Sequence, residues 1–167
     1  MFVFKYCLLY TKFCIRYYAT EANQVSIDQL FLEDGHSIKK LCRSSMPTDN
    51  IVLLQLANGL DFLHTKQLVH GDIRPENVAI CSSSNSTVSV KWAGFGLLKA
   101  ADEYGRYNLG SEVRGTLKWM APEVLEHLQK GSEHSNQPVA KMRVESDVFP
   151  AGYLFFYYLT GVHPFGT

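Results

Sequence analysis

The chain has 167 residues, of which 46% are hydrophobic and 19% charged, enough apolar content to bury a core and too much for a disordered tail. Sixteen Lys plus Arg balance sixteen Asp plus Glu with no basic stripe, so charge offers no argument for nucleic acid or for an anionic membrane surface. Cys7, Cys14, Cys42 and Cys81 form no C-x-x-C pair and no dense scaffold spacing, which points to reduced thiols and a cytoplasmic setting.

Residues 1–15 are rich in Phe, Tyr, Leu and Cys, but Lys5 and Lys12 interrupt them. The uncharged run between is too short for a signal peptide or a bilayer span, so no membrane span is expected. This stretch reads as buried strands or as an extension outside the fold, and residues 16–167 as the domain proper. Residues 16–21 read as a strand end, and 26–32 as a short helix with Ile27, Leu30 and Phe31 on one face. A break at 44–49 precedes the clearest helix, 50–64, where Ile51, Leu54, Ala57, Leu60 and Leu63 or His64 recur at helical steps behind a cap at Thr48 or Asp49. Two β-like runs, 78–80 and 88–92, flank a polar loop. Residues 94–115 are punctuated by glycine and read as loop. A helix begins near Ala121 with Pro122 in its first turn, a polar loop covers 131–138, and 147–159 is a strongly apolar helix ending at Gly161.

Three ordered stretches concentrate the chemistry. His70-Gly71-Asp72-Ile73-Arg74-Pro75-Glu76-Asn77 sets a carboxylate, a cation and a carboxamide within one loop directly after the clearest helix. Ala93-Gly94-Phe95-Gly96 follows the second β-like run, and Gly115-Thr116-Leu117-Lys118-Trp119-Met120-Ala121-Pro122-Glu123 precedes the next helix. Taken singly, Asp72 also admits the lesser reading of an exposed loop acid, and Asn77 reads equally as an amide that stabilises a turn.

In order and spacing these stretches resemble the catalytic loop, metal-binding turn and activation-segment end of the protein kinases, over roughly residues 16–167. Arg74 and Thr116 resemble the serine/threonine class. The aromatic run of the last helix and the closing His163-Pro164-Phe165-Gly166 look like the branch that joins an unfolded-protein-response sensor kinase to an endoribonuclease. The resemblance implies an α+β fold, a mainly α-helical large lobe that is incomplete and keeps remnants of the small-lobe sheet. It implies ATP and Mg²⁺ as cofactors and a protein substrate or partner, in the cytoplasm or on the cytosolic side of a membrane.

Residue by residue, the resemblance makes Asp72 the acceptor of the substrate hydroxyl proton, Asn77 a Mg²⁺ ligand and Arg74 a neighbour of the transferred phosphate. Thr116 faces the substrate. Ala19, Glu21 and Ala22 fall in the adenine-binding hinge, and Ala79 on the pocket floor. His70 and Phe95 belong to the hydrophobic column, Asp147 anchors the catalytic-loop backbone, and Glu123 is the acid that pairs with an arginine further on.

The departures carry equal weight. Gly94 stands where the family has its metal-binding aspartate, a loss on the order of a thousandfold or more in rate. Gly71 replaces the arginine that receives a phosphorylated activation loop, so Tyr104, Tyr107 or Ser111 is expected to lack its usual cationic partner. Ala79 replaces a larger apolar residue, at about 0.8 kcal/mol per lost methylene. No glycine-rich phosphate loop or strand lysine precedes residue 16. A pseudokinase or regulatory module with a weak or absent Mg-ATP site follows from these features. The alternatives are a non-functional fragment of a larger kinase/endoribonuclease-like sensor, favoured by missing lobe parts, and a weakly active kinase within a longer chain, favoured by Asp72, Arg74 and Asn77.

Overall fold

The computed structural model describes residues 25–26, 46–82, 88–109, 117–131 and 141–166. The expected strand over 16–21, the remainder of the helix expected over 26–32, and the polar stretch 132–138 lie outside them, as do residues 1–15.

Helix α1 (Asp49–Thr65) matches the expected 50–64 closely. The Thr48 carbonyl accepts the N–H groups of Ile51 and Val52 at 2.9 and 3.0 Å, while Asp49 puts a negative charge in the first turn, where the helix dipole favours it. The buried face, however, is Val52, Leu56, Leu60 and Leu63, whereas Ile51 and Leu54 are about half exposed and Ala57 faces water. Both stripes are apolar at helical spacing, so periodicity alone does not choose between them. Gln55 and Gly59 conceal the true face because neither is apolar in the ordinary sense, yet each serves a strand packed against it. The Gln55 Oε1 accepts the N–H of Val90 at 2.7 Å, and Gly59 lies against the ring of Trp92.

Strands β1 (Val25–Ser26), β3 (Val78–Ser82) and β4 (Val88–Trp92) form an antiparallel sheet in the order β1-β3-β4, with Val78 opposite Trp92 and Val25 opposite Ile80. Ser26 is thus in a strand and not at the start of a helix, because its backbone completes the ladder beside Ala79. The segment expected to be loop carries two further pairings. Strand β2 (Leu68–Val69) pairs with β5 (Lys99–Ala100), and β6 (Arg106–Asn108) with β7 (Lys141–Arg143). Such two- and three-residue strands are too short to show an alternating pattern, and their partners lie far away in sequence.

Helix α2 (Pro122–Gly131) starts with Pro122, whose absent N–H costs nothing at the first helical position. Helix α3 (Val148–Thr160) ends at Gly161 as expected, with the Gly161 N–H donating to the Tyr157 carbonyl at 2.7 Å. The main core gathers Val52, Leu56 and Leu60 of α1, Val78, Val90 and Trp92 of the sheet, and Ala151, Leu154 and Tyr158 of α3. A second cluster joins Val69, Tyr107, Leu109, Ala121, Val124 and Met142. No helix among the described residues is long and apolar enough to cross a membrane.

Position 59 offers a test of sign. A Cβ there would lie 2.9 Å from Trp92 Cδ1, and the indole is already held by its N–H donating to the Leu56 carbonyl at 2.8 Å. Ala is the better helix former by about 1 kcal/mol, but overpacking costs about 1–3 kcal/mol. Gly59→Ala is therefore expected to lower the Tm by roughly 2–4 °C, and a calorimetric scan showing a rise would refute this packing.

Candidate functional site

The site is assembled where α1, the β3–β4 sheet and the start of α3 meet. Between β2 and β3 the chain runs through His70, Gly71 and Asp72 to a single 3₁₀ turn, Pro75–Asn77. What fixes this loop is Asp147, on the 3₁₀ turn that leads into α3 and only 2% exposed. Its Oδ2 accepts the N–H of His70 at 2.7 Å and its Oδ1 the N–H of Gly71 at 2.9 Å. His64, at the end of α1, brings its Nε2 within 3.1 Å of Oδ2. Gly71 has φ +75°, the left-handed region that glycine adopts without strain, and a Cβ there would approach the Leu97 carbonyl oxygen to 3.1 Å.

The buried His70 ring is held at both nitrogens. Its Nε2–H donates to the Ala93 carbonyl at 2.8 Å, and its Nδ1 accepts the Asp72 N–H at 3.3 Å. This arrangement requires the neutral Nε2–H tautomer. Burial drives the ring's pKa below the ordinary value, outweighing the attraction of Asp147 and Asp72 for its charged form. Phe95 and Trp92 pack on it with centroids at 5.2 and 5.7 Å.

Asp72, Arg74 and Asn77 come together. Asn77 Nδ2 donates to the Asp72 carbonyl at 2.8 Å and to Asp72 Oδ2 at 2.6 Å. Arg74 Nε stands 3.7 Å from Asp72 Oδ2 and 3.6 Å from Glu76 Oε2, so its charge is shared between two carboxylates. Gly94 faces this group in a left-handed conformation, φ 71° and ψ 38°. Ala79 is buried in β3 between Lys91 and Ser26. Glu123 is exposed at the start of α2, which leaves its carboxylate in water rather than in a buried pair. Ala19, Glu21, Ala22 and Thr116 lie outside the described residues, as does Ser111.

Of the tyrosines in the 94–115 segment, Tyr104 carries the Arg106 guanidinium 4.7 Å above its ring. Tyr107 is buried, with its hydroxyl 2.8 Å from Ser146 Oγ, and burial raises its pKa. The hydroxyl of Ser146 in turn donates to the Arg143 carbonyl at 2.6 Å. Residue spacing gave no sign of His64 or Ser146 as partners, because each meets its group only through tertiary packing. At the other end, His163 Nε2 donates to the Lys118 carbonyl at 3.0 Å while its ring meets Trp119 at 4.7 Å. This contact ties the turn before α2 to the end of α3. A cleft of about 450 Å³ beside it is lined by Leu117, Met120, Phe149, Tyr153, His163 and Phe165.

A loop anchored by a buried carboxylate, an acid, cation and carboxamide within it, and a glycine-flanked Phe turn packed on its histidine define a protein kinase domain. The family model described as the protein kinase domain matches residues 15–167, and this chain belongs to the protein kinase family. It is 35% identical over 122 residues to a light-sensor protein kinase of Ceratodon purpureus, covering 68% of this chain and 9% of that protein. It is 38% identical over 120 residues to the human serine/threonine-protein kinase/endoribonuclease IRE2, covering 70% of this chain and 12% of the relative. It is 32% identical over 130 residues to the sensor for unfolded proteins in the ER ire1 of Schizosaccharomyces pombe, covering 70% and 12%. The chain thus spans about a tenth of the length of the relatives it matches, and the likeness to sensor kinase/endoribonucleases agrees with the branch its closing motif resembles.

Two outcomes follow from this geometry. Asp147→Ala leaves the buried His70 N–H and the partly buried Gly71 N–H without their acceptor and should cost about 3–5 kcal/mol, with Asp147→Asn losing roughly half as much, as read by chemical unfolding. The second concerns acid. Because the folded-state pKa of His70 lies below the ordinary 6.5, the unfolded chain binds the proton more readily. Its contribution to stability is complete above pH 6.5 and declines as pH falls below that value. His70→Phe should flatten that part of the stability–pH curve.

Proposed function

We propose that this chain is a kinase-fold regulatory module, a large-lobe portion of a serine/threonine-kinase-like domain that acts through protein contact and not through efficient phosphoryl transfer. The observation that carries the reading is Gly94. The protein kinase family uses ATP and Mg²⁺, and a divalent cation of this kind takes several oxygen ligands. At this turn Asp72 offers one carboxylate and Asn77 one amide oxygen, while position 94 offers no side-chain oxygen. Among the described residues no group of three or more His, Cys, Asp or Glu is gathered to hold a metal. These side chains do not fit a Mg²⁺ ion unaided, so no catalytic step is assigned through it. The small side chain of buried Ala79, where the family has a larger apolar residue, further favours weak nucleotide packing.

A second reading, weak transferase activity within a longer sensor-type chain, is favoured by the ordered Asp72, Arg74 and Asn77 group. One experiment separates the two. A ligand at a hundred times its Kd adds about 2.7 kcal/mol to stability, or roughly 5–11 °C in Tm for a domain of this size. With millimolar ATP and Mg²⁺ the expected shift is below about 1 °C, with no transfer of labelled phosphate to a generic protein substrate. A large Mg²⁺-dependent shift accompanied by transfer establishes the second reading instead.

A further inference from the structure

We propose that residues 106–109 are held by a latch built into the fold, with the Lys99 ammonium and the Tyr107–Ser146 hydroxyl pair as its two ties, so that this stretch is ordered without any phosphate added to the chain. None of the contacts of the latch involves Asp72, Asn77 or Gly94, so it stands apart from the regulatory reading above. Lys99, in β5, is half-buried, and its Nζ donates to the Leu109 carbonyl and reaches the Asn108 carbonyl at 3.5 Å. The same ammonium stands 5.7 Å from the centroid of the Tyr107 ring, within reach of a cation–π contact. Burial lowers the pKa of Lys99, and a charge drawn partly out of water is held only where acceptors meet it. Tyr107, Asn108 and Leu109 supply those acceptors in succession.

The second tie runs from Tyr107 to the 3₁₀ turn that carries Asp147. The single O–H of Ser146 donates to the Arg143 carbonyl at 2.6 Å, so the Tyr107 O–H is the donor across the 2.8 Å to Ser146 Oγ. Tyr107 stands opposite Met142 in the β6–β7 ladder, and both Tyr107 and Leu109 are buried. The stretch is thereby tied to β5 through a cation and to the turn before α3 through a hydroxyl. Gly71 brings no charge to it, and Lys99 supplies one from within the segment itself. Lys99 is a positioning residue, because it touches only the stretch whose backbone it gathers.

The test uses the full chain, shown by intact mass to carry no phosphate, and follows backbone amide exchange without nucleotide or Mg²⁺. In the wild type the amides of residues 106–109 should exchange at least roughly a hundredfold more slowly than in the urea-unfolded chain. Lys99→Met, which removes the charge at similar side-chain length, should speed that exchange roughly tenfold while α1 is unchanged. Lys99→Arg still offers donors to both carbonyls and should stay within about threefold of the wild type. Tyr107→Phe, which loses the tie to Ser146, should speed exchange by roughly threefold. Wild-type exchange as fast as in the unfolded chain overturns the proposal. So does exchange in Lys99→Met that is unchanged, that rises equally in α1, or that Lys99→Arg reproduces. If Lys99→Met does not fold, the wild-type and Tyr107→Phe measurements decide, and unchanged exchange in Tyr107→Phe overturns the latch.

Discussion

A single buried carboxylate organises the functional face of this domain. Asp147 is 2% exposed, and a charge so placed is tolerable only where hydrogen-bond donors surround it. Three donors from two parts of the chain supply them: the N–H groups of His70 and Gly71, and the imidazole of His64 at the end of α1. The carboxylate thereby ties the segment entering α3, the last turn of α1 and the catalytic-type loop to one point. Backbone N–H groups in an irregular loop lack the partners a helix or sheet would give them. Asp147 stands in for that missing ladder, and so the loop keeps one conformation.

From that point the order passes through His70. Its backbone is held by Asp147, and its ring then spans between the Asp72 N–H and the Ala93 carbonyl. A neutral imidazole is the one side chain able to accept at one nitrogen and donate at the other in a buried setting. The ring also forms part of the aromatic packing with Trp92 and Phe95, so that packing and the polar site share one residue.

The parts of this arrangement that were legible in the sequence are those written locally. Helices α1 and α3 have apolar residues at helical steps and clear ends at Thr48 and Gly161, and the β3–β4 hairpin has a polar loop between two β-branched runs. The clustering of Asp72, Arg74 and Asn77 was legible because five residues of loop cannot carry them far apart. Which face of α1 is buried was not legible, since Gln55 and Gly59 owe their positions to the strand beside them. The short pairs β2–β5 and β6–β7 were hidden for a related reason: a strand of two residues has no period, and its register comes from a partner some thirty residues away. Ser26 illustrates the same limit, as a residue acceptable at a helix start that the sheet recruits instead.

The bonds that build the site are all made within the chain, and this separates its architecture from its chemistry. Asp147, His64, His70, Asn77 and the Ala93 carbonyl satisfy one another, and Asp72 is oriented by an amide and an adjacent guanidinium. None of these contacts needs an acid at position 94. Glycine at this position adopts the left-handed turn, φ 71°, without strain of its own and supplies no side chain to the hydrogen-bonded frame. The frame therefore closes on donors and acceptors of the described residues themselves, which is the physical condition that the regulatory reading proposed above requires of the fold.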